Sequence, residues 1–236
     1  MFLIKRIIVS TIVVIILATS SFCEEKEIWK LTSLYWQPYS GKDMADQGKS
    51  IHKLRELLKK ENITLIVDFF PWSRSKQYAK TEDYIGYFPA WVEEIDEGFV
   101  ASPPVDWSEL GVMKKKSSNV IFHDIDELFQ KYKIGIIQTY VYPKNIVDAI
   151  QKYPDNVDKT PNEVSLVRKL SVGRHIAAIT DPNVMLYLAA KEGISDIETI
   201  KGSVVKKALV IAIKNDKENK KRIELLEKIL KTQSNY

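Results

Sequence analysis

The chain is 236 residues long, 45% hydrophobic and 28% charged, with a formal net charge of +4 and one cysteine, Cys23. Its basic residues are spread over predicted helices with acids between them, as in KLRELLKKE and KENKKRIELLEK. That is the pattern of solvated helix faces, and it argues against nucleic acid as a partner.

The start of the chain reads as an address. A basic opening, MFLIKR, is followed by the apolar run IIVSTIVVIILAT and the small-residue end SSFC before the charged EEKE. The run is short of the roughly 20 apolar residues of a membrane span, so the expectation is a secretory signal, residues 1–23, cleaved after Cys23, with an uncleaved anchor as the alternative. Lipid attachment at Cys23 is disfavoured by Phe22, since lipoprotein signals resemble one another in having a small residue there. Loss of the segment removes Lys5 and Arg6 and leaves 33 basic against 31 acidic residues, a net of +2. It also removes the cysteine, which excludes disulfides, cysteine chemistry and thiolate metal sites. The remainder suffices for one large domain or two lobes of roughly 100 residues each.

Beyond the signal, short apolar runs alternate with amphipathic helices, which predicts an α/β protein. IWKLTSLYW is a first strand, and a helix from about Ser50 puts Ile51, Leu54, Leu57 and Leu58 on one face. ITLIVDFF is a second strand stopped by Pro71, SRSKQYAK a short helix, and DYIGYFPAW a third strand with a crowded aromatic end. After GFVASPPV comes a strand-like passage, SELGVMKKK, and then a second set of elements. Asp124 and Glu127 have capping-box spacing for the helix IDELFQKY, followed by the buried strand KIGIIQTY and the helix KNIVDAIQKY. Asn162 caps EVSLVRKL, HIAAIT is another strand, and Asp181 with Pro182 opens a further helix. KGSVVKKALVIAI is a second passage, and the last helix carries Ile223, Leu226, Ile229 and Leu230 on one face.

Two passages between two α/β sets predict two lobes, residues 24–110 with 206–236 forming lobe 1 and residues 111–205 lobe 2. In such units ligands sit beyond the carboxyl ends of the strands, so the gap between the lobes is the expected site.

The segments YWQPYSG, FFPWSRSKQYA, YIGYFPAW, VASPPV, KIGIIQTYVYP and VRKLSVGRHIAAITD, in that order and before an amphipathic C-terminal helix, resemble the extracellular solute-binding proteins of the amino-acid type, family 3. The resemblance covers nearly the whole chain after the signal. It implies an α/β, two-lobed periplasmic-binding-protein type II (Venus flytrap) fold with two hinge crossings, a small-molecule ligand trapped by hinge closure, a periplasmic location, no cofactor, a monomer, and the membrane permease of an ABC transporter as partner. Two other functions stay open within the same fold: a hydro-lyase of the cyclohexadienyl dehydratase type, and a ligand sensor docking to a membrane receptor.

The candidate ligand-binding residues follow from strand ends and from the resemblance together. Tyr35 and Trp36 stand at the end of the first strand, Trp72 follows the second, and Tyr87 and Trp91 close the third, so that three strand ends furnish aromatic faces for planar, apolar or cationic groups. Asp181 matches the acid that amino-acid-binding relatives set against the ligand's ammonium, but TDPN is also a helix cap. Thr139 and Tyr140 precede a helix start near Pro143, where free N–H groups meet a ligand anion. Ser102 matches a cleft serine of the family, and Arg74 is either a ligand-facing guanidinium or a helix-surface charge.

The chain departs from the family in VEEIDEGF, which lacks the arginine that amino-acid binders carry for the α-carboxylate, and Ile176 replaces a frequent acid. An enzymatic reading finds little to rest on. His52, His123 and His175 have no spacing for a metal pair or a nucleophile's base, and Glu93 and Glu94, near the cleft, are equally explained as a solvated loop.

Overall fold

The computed structural model of the chain describes residues 26–202 and 205–231. The expected signal segment and Cys23 lie outside the described residues. A first parallel unit is built from β1 (Glu27–Ser33), helix α1 (Lys49–Lys60) and β2 (Ile63–Phe69), with β1 and β2 in register from Glu27 opposite Ile63 to Ser33 opposite Phe69. Ile51, Leu54 and Leu58 of α1, at helical spacing, are fully buried against this sheet. Burial of each such side chain contributes about 1.5–3 kcal/mol. Helix α2 (Trp72–Tyr78) then leads to β3 (Gly86–Ala90), which lies parallel to β1.

Three short strands were not expected from the sequence. β4 (Phe99–Ala101) pairs antiparallel with the end of the last strand, β10 (Val205–Lys214). The other two are β7 (Val157–Thr160) and β9 (Ile197–Thr199), of 4 and 3 residues. Strands this short show no run from which period-2 alternation can be recognised.

The two predicted passages are long strands, and their pairing explains how the halves of the molecule join. β5 (Asp106–Lys115) pairs with β10 over Asp106–Leu110, then leaves it and pairs with β8 (Ala177–Thr180) from Gly111 to Lys114. β10 does the converse. Its residues Val205–Leu209 pair with β5, and from Val210 onward it pairs with β3 and β4. The strand order is therefore β2-β1-β3-β10-β5-β8-β6-β7, where β6 (Ile134–Ile137) is parallel to both β7 and β8. β5 thus joins the second sheet at one end and β10 the first sheet at one end, and where they leave those sheets the two strands pair with each other, which is the geometry of a hinge of two strands.

The second sheet carries α3 (Ile125–Lys131), α4 (Lys144–Lys152), α5 (Glu163–Ser171) and α6 (Pro182–Lys191), and α7 (Lys220–Lys231) follows β10. The α3 start forms as its spacing predicts: Asp124 accepts from the Glu127 N–H, while the Glu127 carboxylate reaches back to the His123 N–H. Close approach of backbones fixes one residue beside the hinge. A Cβ on Gly86 would lie 1.9 Å from the Ala212 carbonyl oxygen, so β3 and β10 meet here only because residue 86 has no side chain.

Candidate functional site

The carboxyl ends of β1, β2 and β3 point toward the second sheet, and the chain leaving each supplies bulky residues. Leu34, Tyr35 and Trp36 follow β1, Pro71 and Trp72 follow β2, and Trp91 and Glu94 follow β3. Opposite them stand Thr139 and Tyr140, after β6, and Pro161, Asn162 and Glu163, where β7 gives way to α5. These segments enclose a cavity of about 310 Å³, lined on one side by the first unit and on the other by the second. That volume lies at the lower end of the usual range of small-molecule sites, about 300–1,000 Å³.

Aromatic edges and hydrogen bonds hold the walls. Trp36 stacks on Tyr39 at 4.6 Å and meets Trp91 edge-on at 5.9 Å, while Trp91 meets Tyr140 edge-on at 5.0 Å. The Trp91 indole N–H donates to Ser108 Oγ at 2.7 Å, which ties this wall to β5. Across the gap, Trp36 Nε1 donates to the Tyr140 hydroxyl at 2.7 Å, and that hydroxyl donates to Glu163 Oε1 at 2.7 Å. One chain of hydrogen bonds thus runs from the first unit through Tyr140 to a carboxylate of the second.

Two carboxylates line the cavity. Glu94 is 9% exposed, and its Oε2 accepts from the Trp91 N–H at 3.0 Å. Burial pushes its carboxyl up to about 7, against the pull of the Trp91 N–H, nearby Lys76 and the Trp72 indole. Glu163, at the first position of α5, is likewise raised, chiefly by burial. Burial also raises the Tyr140 hydroxyl, with the negative charge of Glu163 adding to the effect, so it remains a donor at neutral pH.

Of the residues expected from the sequence, Tyr35, Trp36, Trp72, Trp91, Thr139 and Tyr140 all line this cavity. Four others lie elsewhere. Tyr87 is fully buried between Trp72 and Phe99, its hydroxyl donating to the Glu94 carbonyl and accepting from the Asp96 N–H. Ser102 Oγ accepts from the Ile211 N–H and donates to the Pro103 carbonyl, which fastens the β4 exit to β10. Arg74 is exposed on α2. Asp181 takes the capping role: Oδ1 accepts from the Asn183 and Val184 N–H groups, and Oδ2 accepts from the Tyr39 hydroxyl and the Glu109 N–H. With four donors satisfied and no exposure, it is a structural knot between the two units and not part of the cavity lining.

The histidines are remote from the cavity lining as well: His52 and His123 sit near Asp46 and Glu127 on the surface, and His175 is buried beside Asp158. Sequence reasoning passed over Glu163 entirely. An acid in the first turn of a helix is accounted for by the helix dipole alone, so nothing in the sequence marked it.

The same chain path occurs in solved proteins. An ancestral arginine-binding protein bound to arginine superposes with a TM-score of 0.69 at 15% identity, over 88% of this chain and 92% of that one. A histidine kinase sensor domain with similarity to periplasmic binding proteins gives 0.70 at 13%, over 89% and 92%. The fold is that of the two-lobed periplasmic binding proteins. An ancestral amino-acid-binding protein, a precursor of cyclohexadienyl dehydratase, matches at 0.64 and 16% identity, over 90% and 92%. No family model matches the chain, and no curated protein matches its sequence.

Proposed function

We propose that the protein is an extracytoplasmic solute-binding protein: it captures one small molecule in the cavity between its lobes by hinge closure and hands it to the permease of an ABC-type importer. The observation that carries capture is the cavity of about 310 Å³, walled by both units and bridged across its gap by the Trp36–Tyr140 hydrogen bond. In this reading the lobes are residues 24–110 with 206–236, and 111–205, with β5 and β10 as the hinge. Tyr35, Trp36, Trp72, Trp91, Thr139 and Tyr140 hold the ligand, joined by Glu94 and Glu163. Residues 1–23 act as the secretion signal, cleaved near Cys23, and deliver the protein to the periplasm. The part of importer partner rests on the resemblance to family 3 and on the arginine-binding protein that shares the fold. No catalytic role is assigned in this reading.

Capture is tested by native mass spectrometry of gently purified protein, followed by small-angle scattering with and without the molecule that is retained or found by thermal-shift screening. A bound ligand at 100 times its dissociation constant adds about 2.7 kcal/mol of stability. The expected result is a ligand-dependent stabilisation accompanied by a smaller radius of gyration. A broad metabolite panel that moves neither quantity overturns capture, and turnover of a prephenate-like substrate replaces it with the hydro-lyase.

A further inference from the structure

The cavity lining is one-sided in charge. It contains Glu94 and Glu163 and no Lys, Arg or His. Two lysines stand behind these walls and are already paired: Lys76, which also donates to the Glu94 carbonyl at 3.2 Å, pairs with Asp96 at 2.5 Å, and Lys207, 5.2 Å from the Trp91 ring centroid, pairs with Glu93. The one feature of the lining that favours an anion, the start of α5, is already answered from within the protein. Asn162 accepts from the Ser165 N–H, and the Glu163 carboxylate bonds its own N–H. A ligand carboxylate entering this space would meet two carboxylates and no guanidinium or ammonium, and like charges in a low-dielectric site repel strongly.

Aromatic faces complete the pattern. Tyr35 and Trp72 line the same volume with partly exposed rings and Trp36 and Trp91 with rings only 5% and 2% exposed, and a desolvated cation is attracted to an aromatic face. Neutral ligands gain nothing comparable from two carboxylates. We infer that, within the capture reading on which this rests, the cavity takes an organic ammonium or guanidinium cation that carries no carboxylate, with Glu94 of the first lobe and Glu163 of the second as its counter-charges. The anionic α-carboxylate of an amino acid is thereby selected against, although the fold is one that amino-acid binders share.

The deciding experiment titrates the whole protein by intrinsic tryptophan fluorescence and calorimetry with four probes: agmatine, arginine, tetramethylammonium chloride and glucose. Agmatine and arginine share the guanidinium and differ in the carboxylate, so their ratio reads the inference without any substitution. The expected result is at least tenfold tighter binding of agmatine than of arginine, measurable binding of tetramethylammonium, and a loss of about tenfold for agmatine in Glu163→Gln and Glu94→Gln, each checked for an unchanged circular dichroism spectrum. Arginine binding as tightly as agmatine overturns the assignment, as does agmatine affinity unchanged in both variants. Binding of glucose or arginine with both cations silent overturns the cation but leaves capture standing. Silence of all four also overturns the cation, and capture itself then falls only if the broad metabolite panel fails too.

Discussion

The second lobe starts two helices with an acid near the gap, and the two acids have opposite fates. At the start of α6, Asp181 accepts four hydrogen bonds, from Asn183, Val184, Tyr39 and Glu109, and is cut off from solvent. At the start of α5, Glu163 lines the cavity, and the Tyr140 hydroxyl that donates to it is itself held by Trp36 of the first lobe. The lesson is that a carboxylate serves a ligand only where the protein leaves some of its accepting capacity unused. Asp181 has spent its capacity on the fold.

The largest effect that separates them is on stability. Asp181→Ala removes a helix cap and strands the buried Tyr39 hydroxyl and Glu109 N–H, each loss of the order of 1–2 kcal/mol, for a total of about 3 kcal/mol. A thermal melt should fall by roughly 6–12 °C, given the 2–4 °C per kcal/mol usual at this size. A variant that melts like the parent yet fails to bind ligand would return Asp181 to the site. Glu163→Gln is the converse. It should change the melt by less than about 0.5 kcal/mol, as for a substitution that keeps an acceptor for Tyr140, while costing about 1.4 kcal/mol, or tenfold, in agmatine affinity.

The contrast also marks how far the sequence reaches. Helix α1 was legible because Ile51, Leu54, Leu57 and Leu58 recur at helical spacing, and the crossing strands were legible as passages between two α/β sets. The aromatic wall was legible because parallel strands deliver whatever follows them to one edge, so Tyr35, Trp36, Trp72 and Trp91 meet there. Tyr87 was not separable from them: it sits in β3, a central strand buried along its whole length, and only the packing against Trp72 and Phe99 shows that its ring belongs to the core. Asp181 and Glu163 differ by what bonds them across the gap, which local sequence does not encode.

Glu94 sharpens the comparison through pH. Its carboxyl is raised to about 7 by burial, with Lys76 opposing and Glu93 adding to the rise, and with Tyr87 and Asp96 bonded around its own turn. A cation needs the ionised form, so affinity increases as pH rises through 7, about tenfold between pH 6 and pH 8 if Glu94 alone governs the step. The unliganded fold has the opposite sign. The folded carboxyl holds its proton more tightly than the unfolded one at 4.5, so the folded state loses stability as pH rises from 4.5 through about 7. Glu94→Gln should flatten both curves, raising the melt of the empty protein at pH 8 by about 1 kcal/mol while removing the pH dependence of agmatine binding. Affinity that stays level from pH 6 to pH 8 would take Glu94 out of the ligand's reach.

The smallest effect concerns the bond that spans the gap. Trp36→Phe keeps an aromatic ring against Tyr39 and Trp91 and deletes the Nε1 donor to Tyr140, a change worth about 1 kcal/mol for one hydrogen bond. If that bond holds the lobes shut over a ligand, affinity drops about fivefold, and the loss appears as faster dissociation in stopped-flow fluorescence. A cation able to donate to the Tyr140 hydroxyl replaces the missing indole N–H, so the loss should be smaller for agmatine than for tetramethylammonium, which has no N–H to give. Equal losses for the two would mean that Tyr140 faces Trp36 and Glu163 only, and that the ligand reaches the second lobe through Glu163 itself.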